Sequence, residues 1–329
     1  MHNESLILGA LAICMLAVSA NPGSAFDAKT NRRGAVFSLN SSNTGAELNG
    51  RLFLVVGLRV SNALISDEKP RELIDNMDLF ASYGMNTFSV YFQGSRFGDV
   101  KGYNEDAMLT PTYAARMGRI IEAADARGMV VLVGCLYYGN SRGKWDSWQQ
   151  PQANRAIANT VRWLKEHDHR NVFIDVNNEH MADFDDSQLI AAGKAVDPSY
   201  VIGTSGKDTP PNADLSLHHG SPNIPGKYYI ESEGTCEGYW GEYSKRKGLY
   251  DYINIGIYTD TLKRKIIDHT NRVLNRGHGF IFASTWLQCP PPSGPNHAPG
   301  GNGTSGHPGI LWWLEHVRAI VGSYEYAGD

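Results

Sequence analysis

The sequence predicts an α/β fold, a (β/α)8 TIM barrel, and three observations predict it. Short apolar runs alternate with amphipathic stretches over residues 49–329. The runs are near-continuous in apolar residues, which marks strands buried on both faces, as a parallel sheet under helices requires. Eight runs can be counted, and 329 residues suit one barrel of roughly 250 residues plus insertions. An open doubly wound sheet fits the same alternation, but no G-x-G-x-x-G follows an early strand, so the barrel is preferred.

Taken in order, Leu52-Phe53-Leu54-Val55-Val56-Gly57-Leu58-Arg59 reads as the first strand. Leu73, Met77 and Phe80 share one face of a helix over 70–83, with Gly84 suited to its C′ position. Residues 86–92 are the second strand. Thr110-Pro111 is an N-cap followed by proline at N1, opening a helix that stops at Gly128. The third strand is 129–134, a helix follows over 152–166, and the fourth strand is 171–176. Asp186 or Ser187 caps a helix over 188–196. Residues 200–204 and 215–218 are the fifth and sixth strands, and the seventh begins at 227. A helix over 261–275, an eighth strand over 279–284 and a last helix over 311–321 complete the set. Segments 205–213 and 219–226 are short and rich in Pro and Gly, so the helices after strands five and six are expected to be degenerate. Residues 26–48 read as a polar N-terminal extension, and no second domain or internal repeat is evident.

Composition narrows the function. With 42% hydrophobic residues a large core is affordable, and disorder is excluded. A formal net charge of -4 argues against a nucleic-acid partner. The one dense basic run, Lys245-Arg246-Lys247, reads as a solvated loop. Residues 6–20 are apolar and are followed by small residues, so 1–25 read as a signal peptide cut after Ala20 or Ala25. The segment before it lacks the usual basic residue. The expected location is therefore secreted or periplasmic, with no membrane attachment once the signal is removed. Of the 4 cysteines, Cys14 leaves with the signal and Cys135 reads as a buried thiol. Cys236 and Cys289 lie in loops and are candidates for a disulfide.

In a parallel barrel, reacting groups sit just past the C-terminal ends of strands. That rule selects Asn178 and Glu179 after strand four, Glu231 and Glu233 at the end of strand seven, and Trp286 after strand eight. Two carboxyls on one rim suit glycosidic bond cleavage: one protonates the leaving oxygen while the other attacks the anomeric carbon or activates water. Glu231 and Glu233 are expected on the same strand face, because side chains alternate with period two. Glu233 is nearer the rim and precedes Gly234, so it leads. Glu231 remains the alternative, and if deeper it needs a partner such as Arg59. Tyr91, Tyr137, Tyr138, Trp145, Trp148, Tyr239, Trp240 and Trp286 fall where a sugar ring could stack, although core packing explains such residues equally well. His297 and His307 lie in a long loop over 289–308, and His167 and His169 precede strand four, at the wrong end for catalysis. No HExxH and no paired CxxC supports a metal, and no cofactor is expected.

These residues resemble a known group. Asn178-Glu179 is similar to the Asn-Glu pair of the retaining glycoside hydrolase clan that includes the family-5 cellulases. The Glu-Gly ending of strand seven resembles its nucleophile segment, Trp286 its platform tryptophan, and His218 the region beside its nucleophile. The resemblance implies a carbohydrate substrate and a double displacement, with Glu179 as acid/base, Glu233 as nucleophile and Asn178 on the sugar 2-hydroxyl. Two departures stand out. Ser89 occupies the strand-two position where those enzymes carry Arg, leaving Arg59 as the candidate cation. Leu136-Tyr137-Tyr138 replaces a histidine after strand three. A polysaccharide lyase or transglycosylase on the same scaffold, or a non-catalytic sugar-binding barrel, are the competing readings. A Ser-His-Asp hydrolase lacks its G-x-S-x-G elbow.

Overall fold

The computed structural model describes residues 34–94, 98–137, 147–206, 208–218, 226–234, 258–283, 286–288 and 309–326. Three short strands, β1 (Phe37–Leu39), β2 (Ala46–Leu48) and β3 (Arg51–Leu52), form a small antiparallel sheet. Eight strands follow: β4 (Val56–Arg59), β5 (Thr87–Tyr91), β6 (Val130–Leu136), β7 (Val172–Asn177), β8 (Ile202–Gly203), β9 (Leu215–His218), β10 (Tyr228–Gly234) and β11 (Gly279–Ala283). They pair in parallel in the order β8-β7-β6-β5-β4-β11-β10-β9. The first and last strands of that list meet at a seam. There Asp214 donates its backbone N–H to Ile202 O at 2.9 Å, and the Asp214 carboxylate accepts from Ile202 N at 2.8 Å. The barrel read from the sequence is therefore observed, with β8 as its shortest stave.

Six helices accompany the strands among the described residues: α1 (Glu68–Ser82), α2 (Pro111–Asp125), α3 (Gln150–Glu166), α4 (Asp186–Val196), α5 (Asp260–Leu274) and α6 (Leu311–Val321). Apolar stripes such as Leu73, Met77 and Phe80 on α1 explain their seating, since all three are buried against the sheet. The cap of α4 corrects the expectation. Asp185, not Asp186 or Ser187, accepts from the first-turn N–H groups of Ser187 and Gln188. Asp186 turns inward instead, where Asn177 and Thr204 donate to it at 2.8 Å each. The described residues between β8 and β9 hold no helix, in line with a degenerate fifth unit. Segment 219–225, which would hold the sixth, lies outside the described residues, as do the expected signal segment 1–25 and the loop over 289–308.

The expected N-terminal extension, where described, sends several of its side chains into the core. Ala35, Phe37, Ala46, Leu48 and Phe53 join Val55, Val130, Leu132 and Phe173 in one buried cluster inside the barrel. Phe37 stacks on Phe173 at 4.9 Å and hydrogen-bonds Arg170 O, just before β7 begins. The small sheet thus plugs the N-terminal mouth. Leu52, expected inside the first strand, is 86% exposed because the chain turns through β3 before it enters the barrel at Val56. With one end plugged by apolar side chains, only the C-terminal end of the barrel interior is left for polar groups.

Candidate active site

The barrel interior changes character along its axis. Near the plug it is apolar, with Val55, Val130, Phe173 and Tyr228. At the C-terminal ends it carries Arg59, Tyr91, Asp175, Asn178 and Glu233, all 3% exposed or less. Arg59, at the end of β4, is the centre of this layer. It donates to Ser232 O at 3.2 Å, to Tyr91 Oη at 3.4 Å and to Asn178 Oδ1, and its Nη2 lies 3.6 Å from Glu233 Oε2. Its guanidinium stacks 5.0 Å from the Tyr91 ring and 5.3 Å from the Tyr137 ring. Burial works against its charge, but the Glu233 carboxylate, with Tyr91, Tyr137 and Glu179, outweighs that and raises its pKa further. Arg59 and Ser89 are register partners across β4 and β5.

The glutamates of β10 separate onto opposite faces, which corrects the expectation that they share one. Pairing with β11 runs from Glu231↔Phe280 to Gly234↔Phe282, so three steps on β10 match two on β11. One residue is extra, and such a bulge breaks the two-residue period. Glu231 faces the helices. Its Oε2 accepts from Tyr229 Oη and meets His269 Nε2 of α5, both at 2.9 Å. Its partner is therefore His269, not Arg59. Glu233 faces the interior and meets Arg59. Gly234 is required beside the bulge, because a Cβ there would come within 2.2 Å of the Phe280 ring.

Glu179 reaches the same mouth by another route. After β7 the chain makes a single 3-10 turn over Asn178–His180. Glu179 and His180 stand at φ 52° and 53°, a region that costs L-residues about 1–2 kcal/mol each. The turn lifts the half-buried Glu179 off the strand, and its N–H donates to Ser205 Oγ at 3.2 Å. Tyr137 registers both carboxylates. Burial drives its hydroxyl well above the ordinary phenol range, Arg59 opposes this, and the Glu233 and Glu179 charges add to it. A cavity of about 360 Å³ opens beside the turn, lined by His180, Asp185, Asp186, Gly206 and Asp208 among others.

Other sequence candidates fall differently. Tyr91 is fully buried with its hydroxyl donated to Asp175 at 2.7 Å, so it supports Arg59 and is no open sugar platform. It can pack there because β6 places Gly134 opposite it; a Cβ would come within 2.0 Å of the ring. Tyr137, 3% exposed, lies edge-on to Tyr91 at 5.3 Å and walls the other side of the guanidinium. Trp286 is not a platform at the mouth. It packs 5.2 Å from Phe80 and donates its indole N–H to Glu72, both on α1. Trp148 is 3% exposed in the core, with its indole N–H on Glu105 O. Tyr138, Trp145, Tyr239, Trp240, His297, His307, the Cys236–Cys289 pair and the side chain of His218 lie outside the described residues. Asp175, Ser205 and His269 were not singled out from the sequence. Asp175 had a signal: a charged residue two positions from Phe173 on an otherwise apolar strand. Among the described residues, no group of three or more His, Cys, Asp or Glu could hold a metal, and no helix is long and apolar enough to cross a membrane.

No protein-family model matches the sequence, and no curated protein matches it either. Solved structures do. A glycoside hydrolase family 5 mannosidase from Rhizomucor miehei superposes with a TM-score of 0.54 at 10% identity, covering 88% of this chain and 98% of that one. The catalytic domain of the major endoglucanase from Xanthomonas campestris pv. campestris gives 0.53 at 13%, covering 87% and 99%. An exo-β-1,4-mannosidase from Opitutaceae bacterium strain TAV5 gives 0.53 at 15%, covering 86% of this chain and 62% of that one. The three-dimensional likeness thus falls on the group that the Asn178-Glu179 and Glu233-Gly234 pairs resemble. At these identities it establishes the barrel and leaves the family unassigned.

Proposed function

We propose that this chain is a glycoside hydrolase acting by retaining double displacement, with Glu233 as nucleophile and Glu179 as acid/base. The observation that carries the reading is convergence. Glu233 at the end of β10 meets the buried Arg59 guanidinium at 3.6 Å, and Glu179, on the turn that follows β7, adds its charge to the same cation at the C-terminal mouth of the barrel. A buried pair such as Arg59–Glu233 keeps its carboxylate ionised, as a nucleophile needs to be. Glu179 is half-buried on a turn whose next residue, His180, lines the cavity.

In the first step a Glu233 oxygen attacks the anomeric carbon as the glycosidic C–O bond breaks, and the Glu179 proton passes to the departing oxygen. In the second, Glu179 takes a proton from water, the water oxygen bonds the anomeric carbon, and Glu233 is released. Asn178 has its Oδ1 held by Arg59, and its amide N–H₂, with one hydrogen toward Met181 Sδ at 3.8 Å, keeps a hydrogen to meet the sugar 2-hydroxyl. The likeness to mannosidases and an endoglucanase favours mannose- or glucose-based chains, and one solved R. miehei mannosidase holds mannosyl-fructose.

The test is a hydrolysis screen over mannans, glucans and their oligosaccharides with wild type, Glu179→Gln and Glu233→Gln. Loss of the acid/base should cost on the order of 10²–10⁴ in rate, and NMR of the first product should show the anomeric configuration retained. Equal turnover by either variant would refute the assignment, and an inverted first product would refute the double displacement.

A further inference from the structure

We propose that Asp175 and Ser205 are positioning residues, a buried relay that holds the Glu179 turn and ties it to the Arg59–Glu233 pair; this rests on Glu179 being the acid/base. Asp175 lies fully buried on β7, below the mouth. Its Oδ2 accepts from Tyr91 Oη and from Ser205 Oγ, each at 2.7 Å. Its Oδ1 accepts from Ser205 N at 3.0 Å and from Asn177 N at 3.3 Å. A carboxylate has about four acceptor positions, so Asp175 is saturated and has none left for substrate.

Counting protons sets the direction of the relay. A serine hydroxyl has one proton, and the short contact commits it to Asp175. The remaining lone pairs of Ser205 Oγ are what the Glu179 N–H meets at 3.2 Å. The unfavourable φ of 52° at Glu179 is thus held from the next strand connection through a buried anion. The same logic applies on the other side. The Tyr91 proton also goes to Asp175, leaving the phenol oxygen to accept from Arg59, which in turn meets Glu233. One buried carboxylate therefore fixes both arms, and with them the spacing of the two reacting carboxyls. Retaining chemistry needs that spacing held near a fixed value.

Ser205→Ala and Asp175→Asn test the relay against Glu179→Gln. The probes are 2,4-dinitrophenyl and 4-methylumbelliferyl β-mannosides and β-glucosides. The dinitrophenolate departs without a proton, whereas the umbelliferone departs far better with one. A misplaced acid should cost roughly 10²-fold in kcat/KM on the umbelliferyl substrate and little in kcat/KM on the dinitrophenyl one, where kcat and KM fall together because the same carboxyl activates water in the second step. Ser205→Thr, which restores the hydroxyl, should recover most of the loss. Amide exchange over 177–182 should rise by about tenfold in Ser205→Ala beyond any rise in the strands far from the turn, which reports the global change in stability. Equal losses in kcat/KM on both substrates, or unchanged exchange, would overturn the relay even with Glu179 confirmed. If Glu179→Gln itself shows no leaving-group dependence, it is the acid/base assignment that fails, and the exchange result still decides whether the relay holds the turn.

Discussion

At the end of β7 the chain leaves the sheet through a tight turn with two residues at positive φ; at the end of β10 it stays in the sheet and inserts one residue. Both devices deliver a glutamate to the same mouth. The first stores backbone strain and restrains it with side chains from inside the barrel, Ser205 and Asp175. The second stores little strain, and holds its register from outside, through Glu231 against His269 of α5. The contrast suits the two proposed tasks. A nucleophile has to be rigid and charged, which a strand locked to a guanidinium provides. An acid/base has to meet the leaving group and then water, which a half-buried turn beside a cavity provides.

The sharpest way to break the β10 half is Arg59→Met. It leaves Glu233 buried without its cation, which should cost about 3–5 kcal/mol. Activity should fall by roughly 10³-fold as the carboxylate takes up a proton. Denaturant titration and initial rates read the two losses. A variant as stable and active as wild type would remove Arg59 from the site altogether.

The outer clamp comes next. His269→Leu deprives the buried Glu231 of one hydrogen-bond partner and should destabilise the fold by about 1–3 kcal/mol. Glu231→Gln keeps the shape and should stay within about tenfold of wild-type activity, whereas Glu233→Gln should lose on the order of 10⁴. Reversed sensitivities would exchange the roles given to the two faces.

These contrasts also mark where the sequence stopped being legible. Strand ends could be read, because apolar runs and capping residues report local structure; Asn178-Glu179 sat where a strand visibly ended. The bulge could not. Glu231-Ser232-Glu233-Gly234 reads as plain alternation, and the extra residue exists only relative to β11, which lies far along the chain. The plug was missed for a related reason. Phe37-Ser38-Leu39 and Ala46-Glu47-Leu48 do alternate, but three residues are too few for a period to stand out. Trp286 shows the opposite failure: strand position alone placed it at the mouth, and only the partners Phe80 and Glu72 reveal that it faces the helices.

A smaller effect sharpens the β7 half. His180→Gly removes the left-handed penalty of about 1–2 kcal/mol but restores unfolded-state freedom. A net gain of about 0.5 kcal/mol is expected, with lower kcat because the turn loses stiffness. A clear loss of stability would mean that the half-exposed imidazole, 3.5 Å from Asp186, contributes more than the strain costs.

The smallest expected effect is a pH dependence beneath that turn. Burial raises the Asp186 pKa above its ordinary 3.8, although hydrogen bonds from Asn177 and Thr204 and the nearby His180 pull the other way. Between 3.8 and the raised value the folded chain therefore holds more protons than the unfolded chain. Stability contributed by this group is complete below that window and is lost as pH rises through it. Asp186→Asn removes the titration, so the variant's stability should not decline across the range just above 3.8 where the wild type's does. Denaturant midpoints at closely spaced pH values would show the two curves drawing apart as pH rises. Parallel curves would mean that the hydrogen bonds from Asn177 and Thr204 hold Asp186 charged despite its burial, and that the β7 turn rests on a second anion besides Asp175.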